Sequence, residues 1–482
     1  MGASAQKKKR QELKSAGIDP FAKQPTEQEK QAAKFKKNAI IVTVVVAVVA
    51  LVVILLTSNL LYNGVTAVRV GNMNFTSADY GYYRGVVYNN YYNTYYQSYG
   101  SLAQYLMPDE ETLKTSTLSY MQETAMLYDQ AVKAGHTLSA EEQQDIENTI
   151  AEMTANAETN SLSLDGYLTA VYGKGMNSKI YRKNLTMAIT AVSYASAQRS
   201  GYTVTEADQA AYYEANKDDL DQFTFRYLFI SGAEVPANEE TGTEAISAED
   251  AMAAAKSIAE QLQEGVTSES QFMQISQEVT GSEATRFVSS GANIAGSTSP
   301  NCAEWLRDAA RQSGEIGVIE EDGGYFVLYF VSRHDNNYET VNVRHILIRV
   351  SDDVDDETAK AKAEEILQEW QNGEATEASF GALADEYSDD TAPGGLYENV
   401  YKNQMVDAFD AWIFTANRKA GDVEIVKSDE YGYHILYYVG RGYNYKEHLT
   451  DEGVRNERYT AWSEDLISQY PISSNWVLNY TR

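Results

Sequence analysis

A single cysteine, Cys302, stands in 482 residues. That excludes an internal disulfide, a thiolate cluster and a cysteine-based zinc site. Histidine is scarce too. The five of them, His136, His334, His345, His434 and His448, leave little for a histidine metal centre. Positive charge is missing from most of the chain. Residues 1–38 hold ten Lys/Arg against four Asp/Glu, while the remainder holds 29 against 65, a net of −36. A body so acidic repels phosphates, which excludes nucleic acid as a partner. It suits contact with basic or neutral unfolded chains, or simply solubility. What is present is apolar content of 43%, enough for ordinary cores, and 36 tyrosines. At this length several domains are expected.

Residues 1–38 are polar and basic, and they read as a mostly unstructured tail. Residues 39–56 then run without a charge and are rich in Val, Ile and Leu. At 1.5 Å per residue they nearly cross a hydrocarbon core of about 30 Å. A cleaved signal peptide would have an apolar region of about 7–15 residues behind a short basic one. Here the first is too long and the second is nearly the whole tail. Val65-Thr66-Ala67 is a weak cleavage-like site, and no cysteine follows closely enough for a lipid anchor. The expectation is an uncleaved single-pass anchor over 39–57, with the basic flank in the cytoplasm and the rest outside.

Residues 65–75 alternate and turn at Gly71-Asn72, which predicts a hairpin. From Tyr80 to Tyr99 there are nine tyrosines in twenty residues, near helical spacing. Such a stripe packs a helix, but tyrosine also offers adaptable contact area. Helices are predicted over 115–134, after Ser139 with Glu142 as a capping pair, over 162–173, over 177–199, and from Thr205 with Asp208 to about Asn216.

The chain then repeats itself. Phe225-Arg226-Tyr227-Leu228-Phe229-Ile230 parallels Val343-Arg344-His345-Ile346-Leu347-Ile348. The predicted helices 248–264 and 357–372 both stop at glycine, Gly265 and Gly373. Trp305 parallels Trp412, and Gly324-Tyr325-Phe326-Val327-Leu328-Tyr329 parallels Gly432-Tyr433-His434-Ile435-Leu436-Tyr437. Two domains of one fold follow, each a small antiparallel sheet with helices. Both copies keep the apolar frame. Only the second has the histidines, since Tyr227 stands for His345 and Phe326 for His434.

The second copy resembles a parvulin-type peptidyl-prolyl isomerase. The resemblance is carried by Phe380-x-x-Leu383-Ala384-x-x-Tyr387-Ser388-Asp389-Asp390, Met405-x-x-x-Phe409 and Gly432-Tyr433-His434-Ile435. It implies that His345, Asp390 and His434 are catalytic and that Met405, Phe409 and Leu383 receive the proline. The family's Gly-Gly-Asp-Leu-Gly is altered here to Gly394-Gly395-Leu396-Tyr397-Glu398. The earlier hairpin-and-helices pattern is similar to the N-terminal domain of PrsA- and SurA-type extracytoplasmic foldases.

The apolar run, the repeat and the resemblance together lead to the expectation of an α+β, membrane-anchored, multidomain chain. Its order is a basic tail (1–38), an anchor (39–57), a mainly helical chaperone domain (58–222), a degenerate parvulin-like domain (223–338), a parvulin domain (339–442) and a C-terminal helix returning to the chaperone domain (443–482). Implied partners are unfolded or proline-containing exported polypeptides and the membrane, with a homodimer compatible. No metal or cofactor is required. Two alternatives stay open: a non-catalytic holdase, and a tethered scaffold for one dedicated partner. Each residue also has a plainer reading. A strand histidine packs, Asp389-Asp390 is a solvated turn, and Met405 with Phe409 is helix core at i, i+4.

Overall fold

The computed structural model describes residues 3–15, 27–57, 59–237 and 244–480. The chain divides into two compact units, Met1–Gly201 with Tyr459–Arg482, and Tyr202–Arg458. Helices Ala3–Ser15 and Glu27–Thr57 occupy much of the basic tail. This corrects the expectation of an unstructured segment. Ala, Lys, Arg, Gln and Glu dominate there, and all are strong helix formers. Residues 16–26 lie outside the described residues. The apolar run falls within helix Glu27–Thr57, with the side chains of residues 52 and 54–57 outside the described set. Among the described residues no helix is long and apolar enough to cross a membrane. The anchor therefore rests on the sequence of the run.

In the first unit, β1 (Thr66–Val70) and β2 (Met73–Thr76) form a hairpin, and Gly71 turns it at φ +52°. Strand Ile472–Ser474 pairs antiparallel with the other edge of β1, so the chain's end closes the sheet of its beginning. Thr76 caps helix Ser77–Tyr99 in a capping box with Asp79. The first turns of that helix are core: Tyr80, Tyr82 and Tyr83 are buried, with Tyr82 edge-on to Tyr181 and Tyr83 edge-on to Tyr120. Its far end is open, and Tyr96 and Tyr99 are more than half exposed. The tyrosine stripe is thus packing at one end and surface at the other.

Asp79 ties this unit together. One carboxylate oxygen accepts from the Thr76 backbone at 2.8 Å and from its hydroxyl at 2.9 Å. The other accepts from Lys183 at 2.5 Å and Asn184 at 2.8 Å. Burial pushes this carboxyl up, but Lys183, Thr76 and Asn184 outweigh it and hold it below the usual range. Asp79→Ala removes the reciprocal half of the capping box, leaving Thr76 as the cap, and takes from Lys183 and Asn184 a buried acceptor, while the Asn184 amide keeps the Ile180 carbonyl. A loss of about 2–4 kcal/mol is expected, discounted because Lys183 is half exposed. A thermal melt checks this, and a shift below that of an ordinary surface substitution would overturn it.

The second unit holds two four-stranded antiparallel sheets of one topology. β3 (Gln222–Ser231), β4 (Thr285–Ser290), β5 (Ile316–Glu321) and β6 (Gly324–His334) lie in the order β4-β3-β6-β5. β7 (Glu339–Arg349), β8 (Leu396–Val400), β9 (Val423–Ser428) and β10 (Gly432–Asn444) lie in the order β8-β7-β10-β9. Polar devices repeat along with the strands. Arg226 pairs with Glu269 at 2.7 Å, and Arg344 with Glu377 at 3.0 Å. Arg311 covers the Trp305 ring at 3.8 Å, and Arg418 covers Trp412 at 3.7 Å.

Two boundaries differ from expectation. Helix Glu206–Leu220 belongs to the second unit and not to the helical domain before it. Arg333 at the end of β6 binds Asp218 at 2.7 Å and Asp221 at 2.6 Å, and the Asn336 amide donates to the Leu220 carbonyl. The C-terminal helix starts earlier, at Tyr445, and its first turns also belong to the second unit.

Candidate active site

The sheet of β7–β10 has two different faces. Ile346, Ile348, Tyr433 and Ile435 point to helices Asp356–Asn372 and Glu377–Tyr387 and form a closed core with Ala363 and Phe380. Alternate residues point the other way, because successive strand side chains alternate. There Val341, Val343, Leu436 and Tyr438 pack on helix Asp407–Ile413 through Phe409, Trp412 and Ile413. His345 and His434 share this second face. The register sets His345 opposite Leu436 and His434 opposite Leu347, so the histidines are diagonal neighbours on paired strands.

The two imidazoles are buried, at 4% and 3% exposure, and stacked with centroids 5.0 Å apart. His434 Nδ1 meets His345 Nε2 at 2.9 Å, and His434 Nε2 meets Ser428 Oγ at 2.8 Å. His345 Nδ1 faces Asp390 Oδ2 at 3.7 Å. Burial, then the neighbouring imidazole, pushes His345 down to about 3, against the pull of Asp390. Burial pushes His434 down to about 4, against Asp390 and Glu430. Both rings are therefore neutral at ordinary pH.

The surroundings then assign their protons. Ser428 Oγ already accepts the Tyr431 N–H at 3.2 Å, leaving its hydroxyl free to donate to His434 Nε2. His434 Nδ1–H donates to His345 Nε2, and His345 Nδ1–H points at Asp390. The reverse order would aim a bare nitrogen lone pair at a carboxylate, which only accepts. The chain of donors thus runs from Ser428 towards Asp390.

A Gly-Gly loop brings Asp390 into place. At Gly395, φ +61°, a β-carbon would sit 2.2 Å from the His345 carbonyl oxygen. Only glycine lets the loop lie this close to β7. The Arg344 guanidinium binds the Gly394 carbonyl at 2.7 Å and fixes the loop from the strand side. Around the imidazoles is a cavity of about 350 Å³. Met405, Val406 and Phe409 form its apolar wall, with Tyr397, Asp390, Gln404, Arg349 and Tyr431 at the remaining sides. Phe409 stands edge-on to both imidazoles, 5.3 Å from His345 and 5.8 Å from His434.

The PPIC-type PPIase domain family matches residues 327–439, the strands and loops that build this cavity. The chain carries a parvulin-type peptidyl-prolyl isomerase domain. Residues 31–193 match the SurA-like N-terminal domain family. Among curated proteins, Chaperone SurA of Chromohalobacter salexigens is 26% identical over 295 residues, 58% of this chain and 63% of that protein. Chaperone SurA of Methylobacillus flagellatus is 24% identical over 312 residues, 62% of this chain and 66% of that one. The chain thus spans somewhat under two thirds of the length of these relatives. Among solved structures, PrsA from Bacillus subtilis is similar at 15% identity and a TM-score of 0.27, covering 74% of this chain and 82% of that one.

Within the parvulin module, His345, His434, Asp390, Met405 and Phe409 surround one cavity. Leu383 does not. It sits on helix Glu377–Tyr387 and packs into the core on the opposite face of the sheet. Phe380, Ala384 and Tyr387 of the same helix join that core, which corrects the assignment of Leu383 to the proline pocket. Sequence reasoning passed over Ser428 and Tyr397. Ser428 is six residues before His434 and carries no pattern of its own. Tyr397 was visible only as part of an altered loop. His136 and His448, outside the cavity, are half-buried, and His136 bonds Ser193 at 2.8 Å.

The sibling sheet shows what the frame does without the imidazoles. Tyr227 stands opposite Leu328 as His345 stands opposite Leu436, and Phe326 stands opposite Phe229 as His434 stands opposite Leu347. Rings occupy this face: Tyr227 lies 5.1 Å from Phe287 and 5.8 Å from Phe326. On the covering helix, small Cys302 takes the place that Phe409 holds in the parvulin module. Volume moved from helix to strand, and the polar chain is gone.

Proposed function

We propose that the chain is a membrane-anchored, extracytoplasmic peptidyl-prolyl cis–trans isomerase and foldase acting on unfolded, proline-containing exported polypeptides. One observation carries the catalytic part: two neutral imidazoles, bonded at 2.9 Å, form the back of a cavity walled by Met405 and Phe409. Rotation about a prolyl bond is opposed by amide resonance, a barrier of about 18–20 kcal/mol. Uncatalysed exchange takes about 10–100 s. The twisted transition state has lost conjugation, so a hollow that grips the pyrrolidine ring in apolar surroundings favours it over the planar amide. The imidazole pair and Asp390 orient polar groups beside the rotating carbonyl. Nothing in this scheme needs a bond to the protein.

The anchor and the extracytoplasmic side rest on residues 39–56 and the basic flank before them. Clients are suggested by the SurA-like N-terminal domain. A holdase activity beside the isomerase is favoured by one feature. No charged residue lies between Arg84 and Asp109, and Tyr88, Tyr96 and Tyr99 are exposed along that stretch.

Proline-peptide isomerisation by the full chain tests the enzyme reading. A rate above background is expected, falling about 10–100-fold in His345→Ala and in His434→Ala. No rate, or no loss in either variant, would overturn it. Suppression of client aggregation is expected to survive both substitutions. Membrane association resistant to alkaline extraction, lost on deleting residues 39–57, tests the anchor.

A further inference from the structure

Tyr397 stands at the leucine of the family phrase Gly-Gly-Asp-Leu-Gly, and the isomerase scheme above leaves its hydroxyl without a part. It lies on β8 opposite Val343, with its side chain on the cavity wall. The hydroxyl lies 2.9 Å from Asp390 Oδ1 and 3.0 Å from Oδ2, so a single proton is shared across the carboxylate. The Ala392 N–H also donates to Oδ1 at 3.1 Å. Oδ2 is the oxygen turned towards His345 Nδ1. Burial and the adjacent carboxylate push the phenol up to about 12, which keeps it a donor at any working pH.

A leucine here would supply wall and nothing else. Asp390 would then be held by one backbone amide and could turn to water. The sibling sheet agrees. Where the imidazoles give way to Tyr227 and Phe326, the ring in the place of Tyr397 is Phe287, without a hydroxyl.

We propose that Tyr397 is a positioning residue of this site: its hydroxyl holds the Asp390 carboxylate towards His345 and so fixes the direction of the protons through both imidazoles. The effect on rate rests on the isomerase reading, whereas the effect on the protons does not.

Tyr397→Phe in the full chain keeps the ring and removes only the donor. Long-range ¹H–¹⁵N spectra of labelled histidine read which nitrogen of His345 and His434 is protonated. Wild type is expected to show one tautomer at each ring, with the proton on Nδ1. Tyr397→Phe is expected to show a mixture at His345 and to lower kcat about fivefold to tenfold, with KM within about twofold. Asp390→Asn is expected to show the same mixture. Unchanged tautomers with unchanged kcat in Tyr397→Phe would overturn the proposal, as would a change in KM alone, the mark of a wall residue. If wild type does not isomerise, the enzyme reading fails, and the spectra still decide the role of Tyr397.

Discussion

Acidification from pH 7 to pH 5 is expected to weaken the parvulin module before its carboxylates titrate. His345 and His434 are held far below the ordinary value of 6.5, near 3 and 4. The unfolded chain therefore takes up two protons that the folded module refuses. The stability this gives is fully present above pH 6.5 and is lost progressively as pH falls towards the folded values. Each unit of displacement is worth about 1.4 kcal/mol for each group. At pH 5 the two rings together account for about 2–4 kcal/mol, a large share of the stability of an ordinary domain. Denaturant midpoints at pH 7, 6 and 5 check it, for wild type against the variant His345→Tyr/His434→Phe. The other three histidines are common to both proteins and cancel. Parallel pH slopes would mean that the rings are not protected from protonation. Over the same window isomerase activity of still-folded protein should stay flat, since the working form of the pair is neutral throughout.

The frame of this chain is legible because its signals are periodic or capped. Ser139 with Glu142 and Thr205 with Asp208 close the capping boxes that the spacing predicts. The apolar alternation of 343–348 and 432–437 becomes paired strands in the register that puts both histidines on one face. What alternation cannot supply is which face a helix covers. Leu383 obeys the same apolar pattern as the pocket wall, yet its helix lies on the other side of the sheet. Ser428 and Tyr397 were opaque for a related reason. A lone hydroxyl has no period, and its partner is known only after strands β8 and β9 are laid beside β7 and β10. The boundary at Glu206–Leu220 turned on ion pairs to Arg333, more than a hundred residues away in sequence.

Exchanging the two histidines for their counterparts in the sibling sheet is expected to abolish isomerisation while leaving the module folded. His345→Tyr/His434→Phe replaces a polar pair by rings that β3 and β6 already accommodate in the same register. Both partners of the 2.9 Å bond go at once, so neither nitrogen is left buried and unpaired, the case in which removal is close to neutral. Ser428 keeps the Tyr431 N–H, its hydroxyl being the one polar group that loses a partner, and Asp390 keeps Tyr397 and Ala392. The added ring volume has somewhere to go, because the cavity lies directly in front of the pair. Stability at pH 7 should therefore change by less than about 2 kcal/mol. The isomerisation rate should fall to background, because the hollow that receives the pyrrolidine ring is filled and no imidazole faces the rotating bond. Single substitutions should be worse tolerated than the pair, since each leaves one imidazole nitrogen without its partner. A double variant that still catalyses would move the chemistry away from the imidazoles to the apolar wall of Met405 and Phe409. One that unfolds would show that the two sheets, alike in topology, differ in what their second faces can hold.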